Sequence, residues 1–133
     1  MNRAEIMKRS STAETRATIE RMYAAAQAGD LAAVSEVMHE QVVVDEPPFL
    51  PYGGTYTGLN EFTGVYAEAA AVIDLAAVQV ESLTVEDDRA FAVVTVPLVA
   101  DATPISLVEH WTVAEGKITS GRIFWFDRLN NGE

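Results

Sequence analysis

The chain has no cysteine and only two histidines in its 133 residues. The first absence excludes disulfides, thiol nucleophiles and cysteine-ligated zinc. The second leaves His39 and His110, far apart in the chain, with no HxH, HExxH or two-histidine–carboxylate spacing to hold a metal. No GxSxG turn or phosphate-binding glycine loop is present. No apolar run approaches the roughly 18 residues of a membrane-spanning helix. The opening MNRAEIMKRSS lacks the apolar stretch of a secretory leader. Basic residues are scarce: nine Lys and Arg stand against twenty Asp and Glu, a net charge of −11. Five of the nine fall before position 22. From Met22 to Gly121 there are fifteen acids and two bases, Arg89 and Lys117. Phosphate binding depends on Lys and Arg, so nucleic acid and anionic membranes are excluded as partners. The acidity reads as a solvated surface. The expectation is a soluble, cytoplasmic protein working without metal or organic cofactor.

What is present suits one globular unit. Apolar residues make up 49% of the chain, too many for disorder, and this length buries enough surface for a core without staples. The expected domain spans residues 1–133, with 1–10 a flexible or helical extension. Ser11-Thr12-Ala13-Glu14 has the form of a capping box. It predicts a helix to about Ala28, with Ile19, Met22, Tyr23 and Ala26 on one face. Gly29 stops that helix and Asp30 caps a second, LAAVSEVM, with His39 at its end compensating the helix dipole. QVVVDE is β-branched strand chemistry. PPFLPYGGTYTG, with three prolines and three glycines, reads as an irregular loop in which Gly53-Gly54 lets the chain fold back. A third helix is expected over EFTGVYAEAA. Strands follow near 73–84, 89–100, 104–114 and 117–126. Helices first and an antiparallel meander after them argue for an α+β fold.

Strand alternation picks out the candidate chemistry. Glu109 shares a face with Ile105, Leu107, Trp111 and Val113. Glu46 shares one with Val42 and Val44, and Asp127 follows Ile123 and Trp125. A carboxyl in apolar surroundings resists ionisation, so one acid of such a set can stay protonated while a better-solvated one acts as base. Tyr52, Tyr56, Tyr66, Trp111 and Trp125 are the aromatic residues expected to line a cavity. Ile19, Met22, Val34, Val44, Phe62, Phe91, Val93, Leu107, Trp111 and Trp125 are expected in the core. Val94, Val96, Val108, Phe124 and Phe126 are expected on an outer sheet face too apolar for open solvent, which predicts a homodimer packed through that face near Arg122.

The run AAAQAGDLAAVSEVMHEQVVVDEP resembles the opening of the nuclear transport factor 2-like superfamily. GTYTGLNEFTGVY and EHWTVAEGKITSGRIFWFD extend the likeness over about residues 14–128. Within it the chain resembles the ketosteroid isomerase and SnoaL-like polyketide cyclase branch. The resemblance implies a cone: a curved, mixed but mostly antiparallel sheet wrapped around three N-terminal helices, with an apolar pocket at the open end. It implies that Glu46 stands at the general base, Glu109 at the protonated acid and Tyr66 in the pocket network. Ketosteroid isomerases pair such a base with an oxyanion hole of a tyrosine and a neutral carboxylic acid. Met22 falls where their main oxyanion tyrosine stands. The adjacent Tyr23 is turned about 100° away by one helical step; Met22 and Tyr23 are both expected among the substrate-binding residues. Loss of one oxyanion donor typically costs about 100- to 1000-fold in rate, so the familiar steroid isomerase is not expected in full. Asp127 matches the final aspartate of the pattern as a further pocket acid. The activity implied is isomerisation or cyclisation of a steroid-like or polyketide-like carbonyl compound. The alternatives are a non-catalytic protein binding an apolar ligand or a protein partner, and an epoxide-hydrolase-like activity. Against the last, Arg122-Ile123-Phe124 lacks that group's aspartate.

Overall fold

A computed structural model describes residues 8–128; the extension expected over residues 1–10 therefore lies largely outside the described residues. Helix α1 (Thr12–Gln27) begins on the expected capping box: the Ser11 hydroxyl accepts from Glu14 N, and Ser11 N donates to the Glu14 carboxylate at 2.9 Å. Asp30 caps α2 (Leu31–Glu36), accepting from Ala33 N at 3.0 Å. Strand β1 (Met38–Glu46) then starts earlier than its sequence suggested. His39 is thus in a strand and caps no helix; its Nδ1 accepts from Gln41 N. The segment expected to be all loop contains β2 (Gly54–Thr57), a short strand antiparallel to β1. Pro47 to Pro51 hold no strand; Gly53 folds back so closely on Pro47 and Pro48 that any Cβ there would overlap their backbone. Helix α3 (Leu59–Ala70) follows.

Four antiparallel strands complete the sheet: β3 (Gln79–Glu86), β4 (Arg89–Pro97), β5 (Pro104–Ala114) and β6 (Lys117–Trp125). The strand expected from residue 73 begins only at Gln79, because Leu75–Ala77 close a 3-10 turn. The order is β2-β1-β6-β5-β4-β3, and only β1 and β6 run parallel. Register shifts between β1 and β6, β3 and β4, and β5 and β6 bend the sheet. Its inner face takes α1, and Ile19, Val34, Val42, Leu107 and Ile118 are buried between the layers.

The phase of β4 corrects an expectation. Phe91 and Val93 are exposed, 44% and 39%, while Val94 and Val96 are buried. Pairing decides this: Ala90, Ala92, Val94 and Val96 lie opposite Trp111, Glu109, Leu107 and Ile105 and must share their inward face. Apolar residues occupy both faces of β4, so its own alternation carries no phase. The outer face therefore shows Phe91 and Val93 beside Phe124 and Phe126. Phe91 stacks on His110 at 4.3 Å, and Arg122 lies over Phe124. Trp125, expected in the core, is only partly buried.

Candidate active site

The site is built on one row across the concave face. Asp45 pairs with Arg122, so the next step along both parallel strands sets Glu46 beside Ile123. Ile123 pairs with Glu109, and Glu109 with Ala92. At about 4.8 Å per strand, the two glutamates stand roughly 10 Å apart at Cα with Ile123 between them. Both side chains line one cavity of about 80 Å³, with Met22, Tyr23, Tyr52, Phe62, Tyr66, Leu107, Trp111 and Trp125 among its walls. None of the described lysines, arginines or histidines lines it.

The hydrogen bonds inside have a fixed direction. Trp111 Nε1 donates to the Tyr23 hydroxyl at 3.0 Å, and Tyr23 donates to Glu109 Oε1 at 2.6 Å. An indole N–H is only a donor, so the Tyr23 oxygen must accept from it, and its one proton is left for Glu109. Gly121 makes this possible. It is the cross-strand partner of Trp111, and a Cβ there would overlap the indole ring. Tyr52 is buried, and its hydroxyl has no partner among the described residues.

Burial raises both acids. Glu46 is lifted from 4.5 to about 8, first by loss of solvent and then by the charge of Glu109. Glu109 is lifted to about 7 by loss of solvent, offset in part by the Tyr23 hydrogen bond. Tyr23 is pushed well above its usual range by burial and by Glu109. Tyr52 is raised by burial, then by Glu46 and Tyr56; Tyr66 is raised by burial and Glu109. The arrangement is two carboxyls near neutrality, facing one apolar space without a counter-cation among the described residues, with neutral hydroxyls around them.

Of the residues singled out from sequence, Glu46, Glu109, Met22, Tyr23, Tyr52, Tyr66, Trp111 and Trp125 meet on this cavity. Asp127 does not: beyond the end of β6, its Oδ2 accepts from Ser106 N at 2.9 Å and fixes the strand end. Nor does Tyr56, on β2, whose hydroxyl donates to the Tyr52 carbonyl. Tyr23 reaches the cavity although one helical step separates it from Met22. Helix α1 is enclosed by the concave sheet, so adjacent positions 22 and 23 are both buried and both reach the cavity. The role of Gly121 was missed; a lone glycine inside a strand pattern is the signal for close approach. Among the described residues no three His, Asp or Glu side chains gather as metal ligands, and no helix is long and apolar enough to cross a membrane.

An α+β domain with a curved sheet closed by helices over an apolar, acid-bearing cavity defines the class. The SnoaL-like domain family matches residues 19–121, and the chain belongs to that family, within the nuclear transport factor 2-like superfamily. Solved structures of the same fold include a candidate ketosteroid isomerase from Kribbella flavida, 17% identical, TM-score 0.74, covering 92% of this chain and 84% of that one. A candidate polyketide cyclase from Sinorhizobium meliloti is 19% identical, TM-score 0.66, covering 80% and 92%. TerC, co-crystallised with polyporic acid, is 19% identical, TM-score 0.74, covering 84% and 91%. At these identities the likeness is one of fold. No curated protein sequence matches the chain.

Proposed function

We propose that this protein is an enzyme that moves a proton on a small apolar carbonyl compound, isomerising or cyclising it by acid/base chemistry between two carboxyls. One observation carries the reading: Glu46 and Glu109 enter the same apolar cavity and both titrate near neutral pH. A pair in which one member holds a proton and the other lacks one has an acid and a base ready at working pH. The co-crystallisation of TerC with an organic acid supports a small organic ligand for the fold. The present cavity holds about 80 Å³, so a polycyclic body requires it to widen. Arg122 is exposed on the outer face, which gives an epoxide-hydrolase chemistry no cation inside. The exposed Phe91, Val93, Phe124 and Phe126 support a homodimer through that face.

A non-catalytic binding role rests on the apolar walls alone, and one experiment separates the two. Exchange of α-protons of 2-tetralone for solvent deuterium is followed by NMR, with wild type and the Glu46→Gln/Glu109→Gln double variant. Exchange above background in wild type and not in the folded double variant supports the enzyme. Equal, background exchange in both, with the ketone bound, leaves a binding protein.

A further inference from the structure

We propose that Glu109 is the base of this pair, and that the substrate oxygen docks between the Tyr52 hydroxyl and the carboxyl of Glu46; this rests on the acid/base reading above. The assignment is opposite to the one that the family resemblance implies. It follows from where the donors point. The Trp111 N–H commits the Tyr23 oxygen as acceptor, and the Tyr23 proton then goes to Glu109 Oε1 at 2.6 Å. A short O–H donation stabilises a carboxylate over the neutral acid. Glu46 receives no hydrogen bond from any described residue, while burial and the charge of Glu109 both oppose its ionisation. The remaining titratable groups on the walls among the described residues are Tyr23 from α1, Tyr52 from the loop and Tyr66 from α3, all neutral, with no described cation to reverse the order. A single proton held by the pair therefore sits on Glu46.

Tyr52 supplies the second half. Its hydroxyl is buried and has no partner among the described residues, and a buried donor left without an acceptor favours a ligand that supplies one. It is close enough to Glu46 for that charge to act on it. Two O–H donors, neither bonded to an acceptor among the described residues, thus stand on the β1 side of the cavity, and the held carboxylate stands on the β5 side. In the step that follows, the Glu109 carboxylate takes the proton from the carbon next to the carbonyl. The C–H pair becomes a C=C bond and the carbonyl π pair moves to oxygen. The resulting enolate oxygen accepts from Tyr52 and Glu46, which keep their protons. The Glu109 acid then returns the proton to another carbon of the conjugated system and the carbonyl re-forms. Tyr23 and Trp111 are positioning residues, setting which carboxyl is charged.

Two measurements on the full chain test this. The first uses 2-naphthol, whose phenolate mimics an enolate, titrated by fluorescence at pH 7. Glu109→Gln is expected to tighten binding about 10-fold by removing the charge that opposes an oxyanion. Tyr52→Phe is expected to weaken it at least 5-fold, and Glu46→Gln, which keeps a donor, to change it little. Tightening by Glu46→Gln with weakening by Glu109→Gln overturns the assignment. The second is carbon-detected NMR of the glutamate carboxyls without ligand. Glu109 is expected to ionise at lower pH than Glu46, and Tyr23→Phe to raise Glu109 and close or invert the gap. Glu46 ionising first in wild type overturns the assignment whatever binds. No naphthol binding by any variant, with Glu109 still first, overturns the acid/base reading and not the seat of the proton.

Discussion

Glu46→Gln exposes what it costs to keep an acid at the end of β1. The unfolded chain ionises Glu46 near 4.5, and the folded chain holds the proton to about 8. Folding therefore takes up a proton between these values, and stability falls as pH rises through that window. The contribution is fully present below about 4.5 and lost above about 8. At about 1.4 kcal/mol per pH unit, the loss by pH 9 is on the order of 3 to 5 kcal/mol. Part of it is repulsion shared with Glu109, so about 3 kcal/mol is assigned to Glu46 alone, roughly 10 °C in melting temperature for a domain of this size. Glutamine does not titrate and removes this slope. Between pH 6.5 and 9 Tyr23, Tyr52 and Tyr66 stay neutral, all raised above the usual tyrosine value, while Glu109, at about 7, titrates in both proteins, so Glu46 is read from the difference between their curves. The assay is thermal unfolding by circular dichroism at fixed ionic strength from pH 6.5 to 9. Only the part of the loss between pH 6.5 and about 8 falls in this range, roughly 1.5 pH units or about 2 kcal/mol before the share with Glu109 is set aside, so the wild-type midpoint should fall and the variant should fall by about 5 °C less. Parallel curves would refute the reasoning, since they would mean that Glu46 is solvated in the folded state.

Three further outcomes are expected. Gly121→Ala drives a methyl into the Trp111 ring and should cost about 1–3 kcal/mol in a urea titration, with a shift in indole emission as Nε1 leaves Tyr23; unchanged stability and emission would remove the glycine from the site. Ser11→Ala removes the hydroxyl half of the capping box on α1 and should cost about 1 kcal/mol in the same titration, with no change in 2-naphthol affinity. Phe124→Asp places a charge on the exposed outer face and should convert a wild-type dimer to a folded monomer in sedimentation velocity at micromolar concentration; a monomeric wild type rejects the homodimer.

Local chemistry made much of this legible. The capping box at Ser11, the Asp30 cap and the alternation of Ile105 to Val113 are instructions carried by neighbours a few residues apart, and the structure obeys each. The same alternation set Glu109 between Leu107 and Trp111 on an inward face. What stayed hidden is decided across the sheet. Strand β4 is apolar on both sides, so only its pairing with β5 sends Val94 inward and Phe91 out. GTYT looked like loop, and became a strand because β1 offered it an open edge. Tyr23 stands one helical step from Met22, and both reach the cavity because a helix enclosed by a bent sheet has more than one inward face. Asp127 kept the right period along its strand and still missed the cavity, because β6 ends at Trp125 and a backbone amide takes the carboxylate. Sequence spacing fixes which residues share a face; how far that face bends, and which partner stands across it, is set by contacts between strands distant in the chain. That is why the two acids could be found from sequence, while their hydrogen-bond partners came only with the tertiary structure.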